Sequence, residues 1–92
     1  MYKNINISDY RNQLLDPRWS AKALEIKNRD NHRCRNCQSP NNLQVHHRQY
    51  HFSKMLKCFK SPWDYHDSLL ITMCKRCHDI GHTKYKVPIN YI

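Results

Sequence analysis

Glycine is almost absent: Gly81 is the only one in 92 residues. A Gly-rich loop that cradles phosphates needs several, so nucleotide-binding folds built on such loops are excluded. No apolar run reaches the length of a membrane-spanning helix. The N-terminal stretch MYKNINISDYRNQLLDPRW has no continuous apolar segment, so no secretory signal is expected. The expected compartment is therefore the cytoplasm, where paired cysteines are more often ligands than disulfides. Acidic residues are scarce too: seven against sixteen Lys and Arg, a formal charge of +9. That excess favours a polyanionic partner, usually nucleic acid, and exceeds what solubility requires.

Apolar material is also limited, at 39% of residues. A chain this short makes one small domain and buries only about 60–65% of its unfolded surface. Domains of that size often rely on disulfides or metals. Five cysteines and seven histidines make a metal a plausible part of the core.

Residues 1–15 read as a polar arm. Asp16-Pro17 then signals a helix start, a capping carboxylate followed by proline at the first helical position. Trp19, Ala23 and Ile26 form one apolar stripe, and the helix is expected to end near Asn28 to Asn31. Leu43-Gln44-Val45-His46-His47 alternates as a short strand, and Leu69 to Met73 reads as a second. Residues 48–66 are expected to be a long irregular loop, in which Trp63 and Tyr65 pack rather than stack on bases. A helix should open near Lys75. The tail residues Tyr85, Val87, Ile89 and Tyr91 alternate like a strand laid along the body. The expectation is an α+β domain over 16–82, with residues 83–92 packed on it as a tail.

Two C-x-x-C knuckles stand out, Cys34/Cys37 and Cys74/Cys77, with residues 38–73 between them. Two intervening residues let both sulfurs of a pair face one ion, and two pairs complete a tetrahedral zinc site. Such a closed site is structural. Cys58 has no partner at metal spacing and reads as a buried or incidental thiol. Cys74-Lys75-Arg76-Cys77-His78 also matches a c-type haem attachment pattern. That chemistry normally follows export, however, and it leaves the first knuckle unexplained.

Four histidines add to this. His78 and His82 are one helical turn apart, a common two-point metal grip. His46 and His47 end the first strand, where neighbours point to opposite faces, so both reach one site only if the backbone turns there. His32, His51 and His66 have no such support.

Residues 17–82 carry "DPRW", "CRNC", "LQVHHRQY", "SPWDY" and "LLITMCKRCHDIGH" in that order. In this combination the chain resembles the HNH endonucleases, the ββα-metal nucleases, in their four-cysteine zinc branch. The resemblance implies a ββα-metal core and a metal-dependent DNA endonuclease. It implies that His46 is a ligand of the catalytic metal, His47 the general base, and His78 and His82 further ligands of that metal. The family's middle Asn is absent from Asp67-Ser68-Leu69-Leu70, where Asp67 is the candidate substitute. A catalytic site of imidazoles suits Zn²⁺, Ni²⁺, Co²⁺ or Mn²⁺ better than Mg²⁺. The alternative is a zinc-stapled DNA-binding module without catalysis.

Arg48, Lys54, Lys57 and Lys60 surround the dyad, and Lys75 and Arg76 sit at the second knuckle. These charges are the candidate contacts to DNA phosphates. Sequence specificity would come from a homodimer or an accessory DNA-binding partner.

Overall fold

The computed structural model describes residues 12–84 and 86–92, with side chains described for all of these except 82–84. Most of the expected N-terminal arm (residues 1–11), the His82 side chain and Tyr85 lie outside the described residues.

Helix α1 spans Pro17–Arg29 and starts as the sequence predicts. The Asp16 carboxylate accepts the Arg18 amide at 2.8 Å, which satisfies an amide that the first turn leaves open. The helix stops because Asn31 and His32 adopt φ of 59° and 53°. The His32 amide donates back to Lys27 at 2.8 Å and the Asn31 amide to Asn28 at 3.2 Å, a left-handed helix cap.

Strands β1 (Leu43–His47) and β4 (Leu70–Cys74) form an antiparallel pair, in register from Leu43 opposite Cys74 to His47 opposite Leu70. Leu43, Val45 and His47 therefore share a face with Leu70, Thr72 and Cys74. Helix α2 (Lys75–Lys84) follows β4 directly and packs against both strands. Gly81 does not interrupt it. The core is small and divided. One half gathers Ile26, Tyr65 and Leu70, flanked by Trp19, Val45 and Leu69. The other is made of Cys34, Cys74 and Cys77, flanked by Leu43 and Met73.

The expected irregular loop over 48–66 is corrected. It contains strands β2 (Tyr50–Ser53) and β3 (Cys58–Phe59), an antiparallel hairpin turning through residues 54–57. The tail strand is there, as β5 (Ile89–Tyr91), and it pairs in parallel with β2. The hairpin is thus stabilised by a segment distant in sequence, which local pattern does not reveal. Tyr65 packs in the core, as expected, and its hydroxyl accepts the His51 amide at 2.9 Å. Trp63 lies under the Arg18 guanidinium, 4.2 Å from its ring centre. Among the described residues no helix is long and apolar enough to cross a membrane.

Asp30 ties these parts together. Its buried carboxylate accepts from Arg29 Nε, Arg35 Nη1 and the Thr72 amide, each at 2.9 Å. Arg29 also donates to the Leu70 carbonyl at 2.7 Å. Burial pushes the Asp30 carboxyl up, but Arg29, the Thr72 amide and Arg35 outweigh it and hold the group well below the usual carboxylate range. Asp30→Ala would leave the Thr72 amide buried without an acceptor and cut the link between helix, knuckle and strand. Its expected cost is about 2–4 kcal/mol, read as a lower denaturation midpoint. An unchanged midpoint would show that the carboxylate only decorates the helix end.

Candidate functional site

The four knuckle cysteines converge. One ligand atom from each of Cys34, Cys37, Cys74 and Cys77 lies within 4.8 Å of all the others. All four are free thiols. Cys37 Sγ and Cys74 Sγ are 3.6 Å apart. Sulfurs about 2.3 Å from a tetrahedral ion sit about 3.8 Å from each other, so the spacing fits a bound metal. Backbone turns aim amides at the sulfurs. Asn36 N and Cys37 N lie 3.4 and 3.5 Å from Cys34 Sγ, and Cys77 N lies 3.4 Å from Cys74 Sγ. The Asn36 side-chain amide adds a contact to Cys77 Sγ at 3.3 Å.

These surroundings split the thiols. Burial raises Cys34, but the amides of Cys37, Cys74 and Asn36 overcome it and hold the thiol below its usual range. At Cys77 the Asn36 amide lowers, while the neighbouring Cys74 sulfur, burial and the other two cysteines raise it further. If all four deprotonated, the adjacent thiolates would repel one another unless a cation sat among them, which is how a metal would complete the cluster. Among the described residues it is the only group of three or more His, Cys, Asp or Glu placed to hold a metal ion.

The histidines form a different arrangement. His46 and His78 meet edge to face, with ring centres 4.9 Å apart. β1 contributes the first and the head of α2 the second. Two imidazoles at this separation can share an ion, and the donor type suits Zn, Ni, Co or Mn. His47 points into the α1 side of the sheet. It is 4% exposed, stacked on Trp19 with ring centres 5.1 Å apart, and edge-on to Tyr65 at 4.8 Å. Its Nε2 lies 2.9 Å from the Pro62 carbonyl oxygen. A carbonyl only accepts, so Nε2 carries the proton and Nδ1 keeps its lone pair in the neutral ring. Burial pushes the imidazole below its usual range, partly opposed by the Pro62 bond, so the neutral form dominates near pH 7.

Although His46 and His47 point to opposite faces, both border one cavity of about 370 Å³, together with His78. Among the described residues β1 pairs only with β4, and residues of both helices border the cavity beside it. Trp19, Ala23 and Lys27 line the α1 wall of this cavity. A second cavity of about 380 Å³ also borders His46 and His78 and continues toward Arg48.

The expected DNA-contacting cations sit on different elements. Arg48 borders the histidine pair. Lys75 is paired with Asp79 at 2.6 Å and Lys60 with Asp64 at 3.7 Å. Lys54 and Lys57 lie in the hairpin turn and Arg76 in the first turn of α2, all three exposed. Asp67 pairs with Lys22 of α1 and lines neither cavity. His32 bonds to Asn28, and His66 caps the turn at 67–69. Cys58 is buried and unpaired.

Three site features escaped the sequence reading: Lys27, Lys86 and the Pro62 carbonyl. Lys27 had a readable signal, since it continues the four-residue spacing of Trp19 and Ala23 along one helix face. The other two depend on chain segments that meet only in the fold. Comparison with family models, with curated proteins and with solved structures finds no match to this chain.

Proposed function

We propose that the chain is a metal-dependent DNA endonuclease of the HNH, ββα-metal type. The observation that carries this reading is the placement of His46, His47 and His78 around one cavity beside β1. The succession β1, β4 and α2 supplies the two strands and the helix that such a core requires. In this reading the four cysteines hold a structural zinc, closed to chemistry because every position is a protein ligand. The protein works in a reducing compartment such as the cytoplasm, where those thiols stay free to ligate.

His46 and His78 hold a second divalent ion, with His82 one turn further along α2. When bound, that ion polarises the scissile phosphate and stabilises the leaving 3′ oxygen. His47 serves as the general base. The Pro62 carbonyl fixes its tautomer, Trp19 and Tyr65 fix the ring, and Nδ1 is the nitrogen left to take a proton from the attacking water. The net charge of +9 favours DNA as the substrate.

The test is supercoiled-plasmid cleavage by zinc-loaded protein with Mn²⁺, Ni²⁺, Mg²⁺ or no added ion. Cleavage should require an added ion and should be faster with Mn²⁺ or Ni²⁺ than with Mg²⁺. Equal or faster cleavage in Mg²⁺ would overturn the imidazole-ligand assignment. One observation favours a second reading: His47 is buried in a ring stack, where a structural histidine would also sit. Salt-sensitive DNA binding without cleavage in any ion would select that reading, a zinc-stapled DNA-binding module.

A further inference from the structure

We propose that the C-terminal segment completes the histidine cavity, and that Lys86 and Arg48 form a clamp for a phosphate of a nucleic-acid strand. The inference rests on the nuclease reading and names which charges hold its substrate. The cavity of about 380 Å³ is bordered by His46 and His78, by Arg48, and by Lys86, Val87 and Pro88. Part of the lining around the histidine pair therefore comes from residues beyond α2.

That segment is firmly placed. The Tyr50 amide donates to the Pro88 carbonyl at 2.9 Å. β5 then runs parallel to β2, with Tyr50 opposite Ile89 and Phe52 opposite Tyr91. The Ile92 amide donates to Phe52 and the Lys54 amide to Ile92, both at 2.9 Å. Asn90 Nδ2 reaches Gln49 Oε1 at 3.0 Å. Lys86 lies two residues before the Pro88 anchor, ahead of β5, and proline restricts the backbone at that point. The Arg48 backbone is held too, its amide donating to the Leu69 carbonyl at 2.7 Å.

Charge decides what the cavity takes. Lys22, Lys60 and Lys75 each face a carboxylate. Among the described residues no carboxylate forms an ion pair with Arg48 or Lys86, and none lines this cavity. Two cations held at one cavity repel each other unless an anion lies between them. Arginine offers a bidentate fork to phosphate oxygens, and lysine a point charge. The neighbouring cavity of about 370 Å³ shares His46 and His78 and is bordered by Lys27, with no carboxylate among its described lining residues. The two cavities thus meet at the histidine pair, one bordered by Lys27 and the other by Arg48 and Lys86. A strand lying across them would have one phosphate at the histidines and a flanking phosphate in the clamp.

The test is fluorescence anisotropy of a short labelled DNA duplex against the zinc-loaded full chain, over a series of salt concentrations, with no catalytic ion added. The variants are Lys86→Gln, Lys86→Arg and Arg33→Gln. Arg33 is exposed, lines neither cavity and gives the same loss of charge. Lys86→Gln should weaken binding roughly fivefold to tenfold and reduce the slope of log affinity against log salt by about 0.9, the signature of one lost phosphate contact. Lys86→Arg should restore both. Equal behaviour of Lys86→Gln and Arg33→Gln, or failure of Lys86→Arg to rescue, would overturn the clamp and leave the nuclease reading standing. Wild-type protein without salt-dependent binding would overturn the nuclease reading and the clamp together.

Discussion

Cys34→Ser is expected to abolish cooperative folding rather than to lower stability by a small step. Cys34 is fully buried, and with Cys74 and Cys77 it makes up half of the core. Among the described residues that half contains no fully buried aliphatic side chain; only the partly buried Leu43 and Met73 pack against it. A structural zinc contributes about 10–16 kcal/mol in small zinc domains. Domains of ordinary stability have only about 5–15 kcal/mol in total. Loss of one ligand, or removal of the ion by a strong chelator, therefore leaves too little to offset chain entropy. The measurement is metal content together with thermal unfolding followed by circular dichroism. Wild-type protein should carry zinc and melt cooperatively, whereas the variant and the chelated protein should show no transition. A metal-free wild type that melts cooperatively at the same temperature would mean that the cysteines are ordinary apolar packing. In that case Cys34→Ser would cost only about 1–3 kcal/mol, the penalty of burying an unpartnered hydroxyl.

The same contrast explains which parts of the fold were legible. Asp16-Pro17 marks a helix start because a cap and a fixed φ act within a few residues, and α1 begins there. The alternation of Leu43 to His47 is local too, and β1 has those bounds. The cysteine spacing encodes its own geometry, since two intervening residues suffice to turn both sulfurs inward. The β2–β3 hairpin was hidden because its strands are short and its other partner, β5, arrives only after β4 and α2. Asp30 looked like one polar residue at a helix end. Its importance comes from Arg35 and the Thr72 amide, which reach it from a knuckle and a strand. At the histidines, strand alternation separates His46 from His47 but does not say which face is covered. Trp19 on α1 settles that, by stacking on His47 and leaving His46 to face His78.

That burial of His47 determines how its role must be tested. Alanine at this position would remove a ring that packs against Trp19, Tyr50 and Tyr65. The expected cost is about 2–4 kcal/mol, enough to unfold part of a small domain and imitate a catalytic defect. His47→Gln is the sharper variant, because its side-chain amide can still donate to the Pro62 carbonyl while offering no basic nitrogen. A positioned general base contributes about 10²–10⁴ in rate. The folded, zinc-loaded His47→Gln protein should therefore cleave plasmid DNA about 10²–10⁴ times more slowly than wild type, with DNA affinity unchanged. The separation of rate from affinity is the decisive feature, since loss of the folded state would lower both together. Cleavage by the folded variant at the wild-type rate would remove His47 from the chemistry and return it to the ring stack as a packing residue. The base would then have to be sought among the other groups bordering the cavity, where the described side chains offer only His46 and His78 as alternative imidazoles.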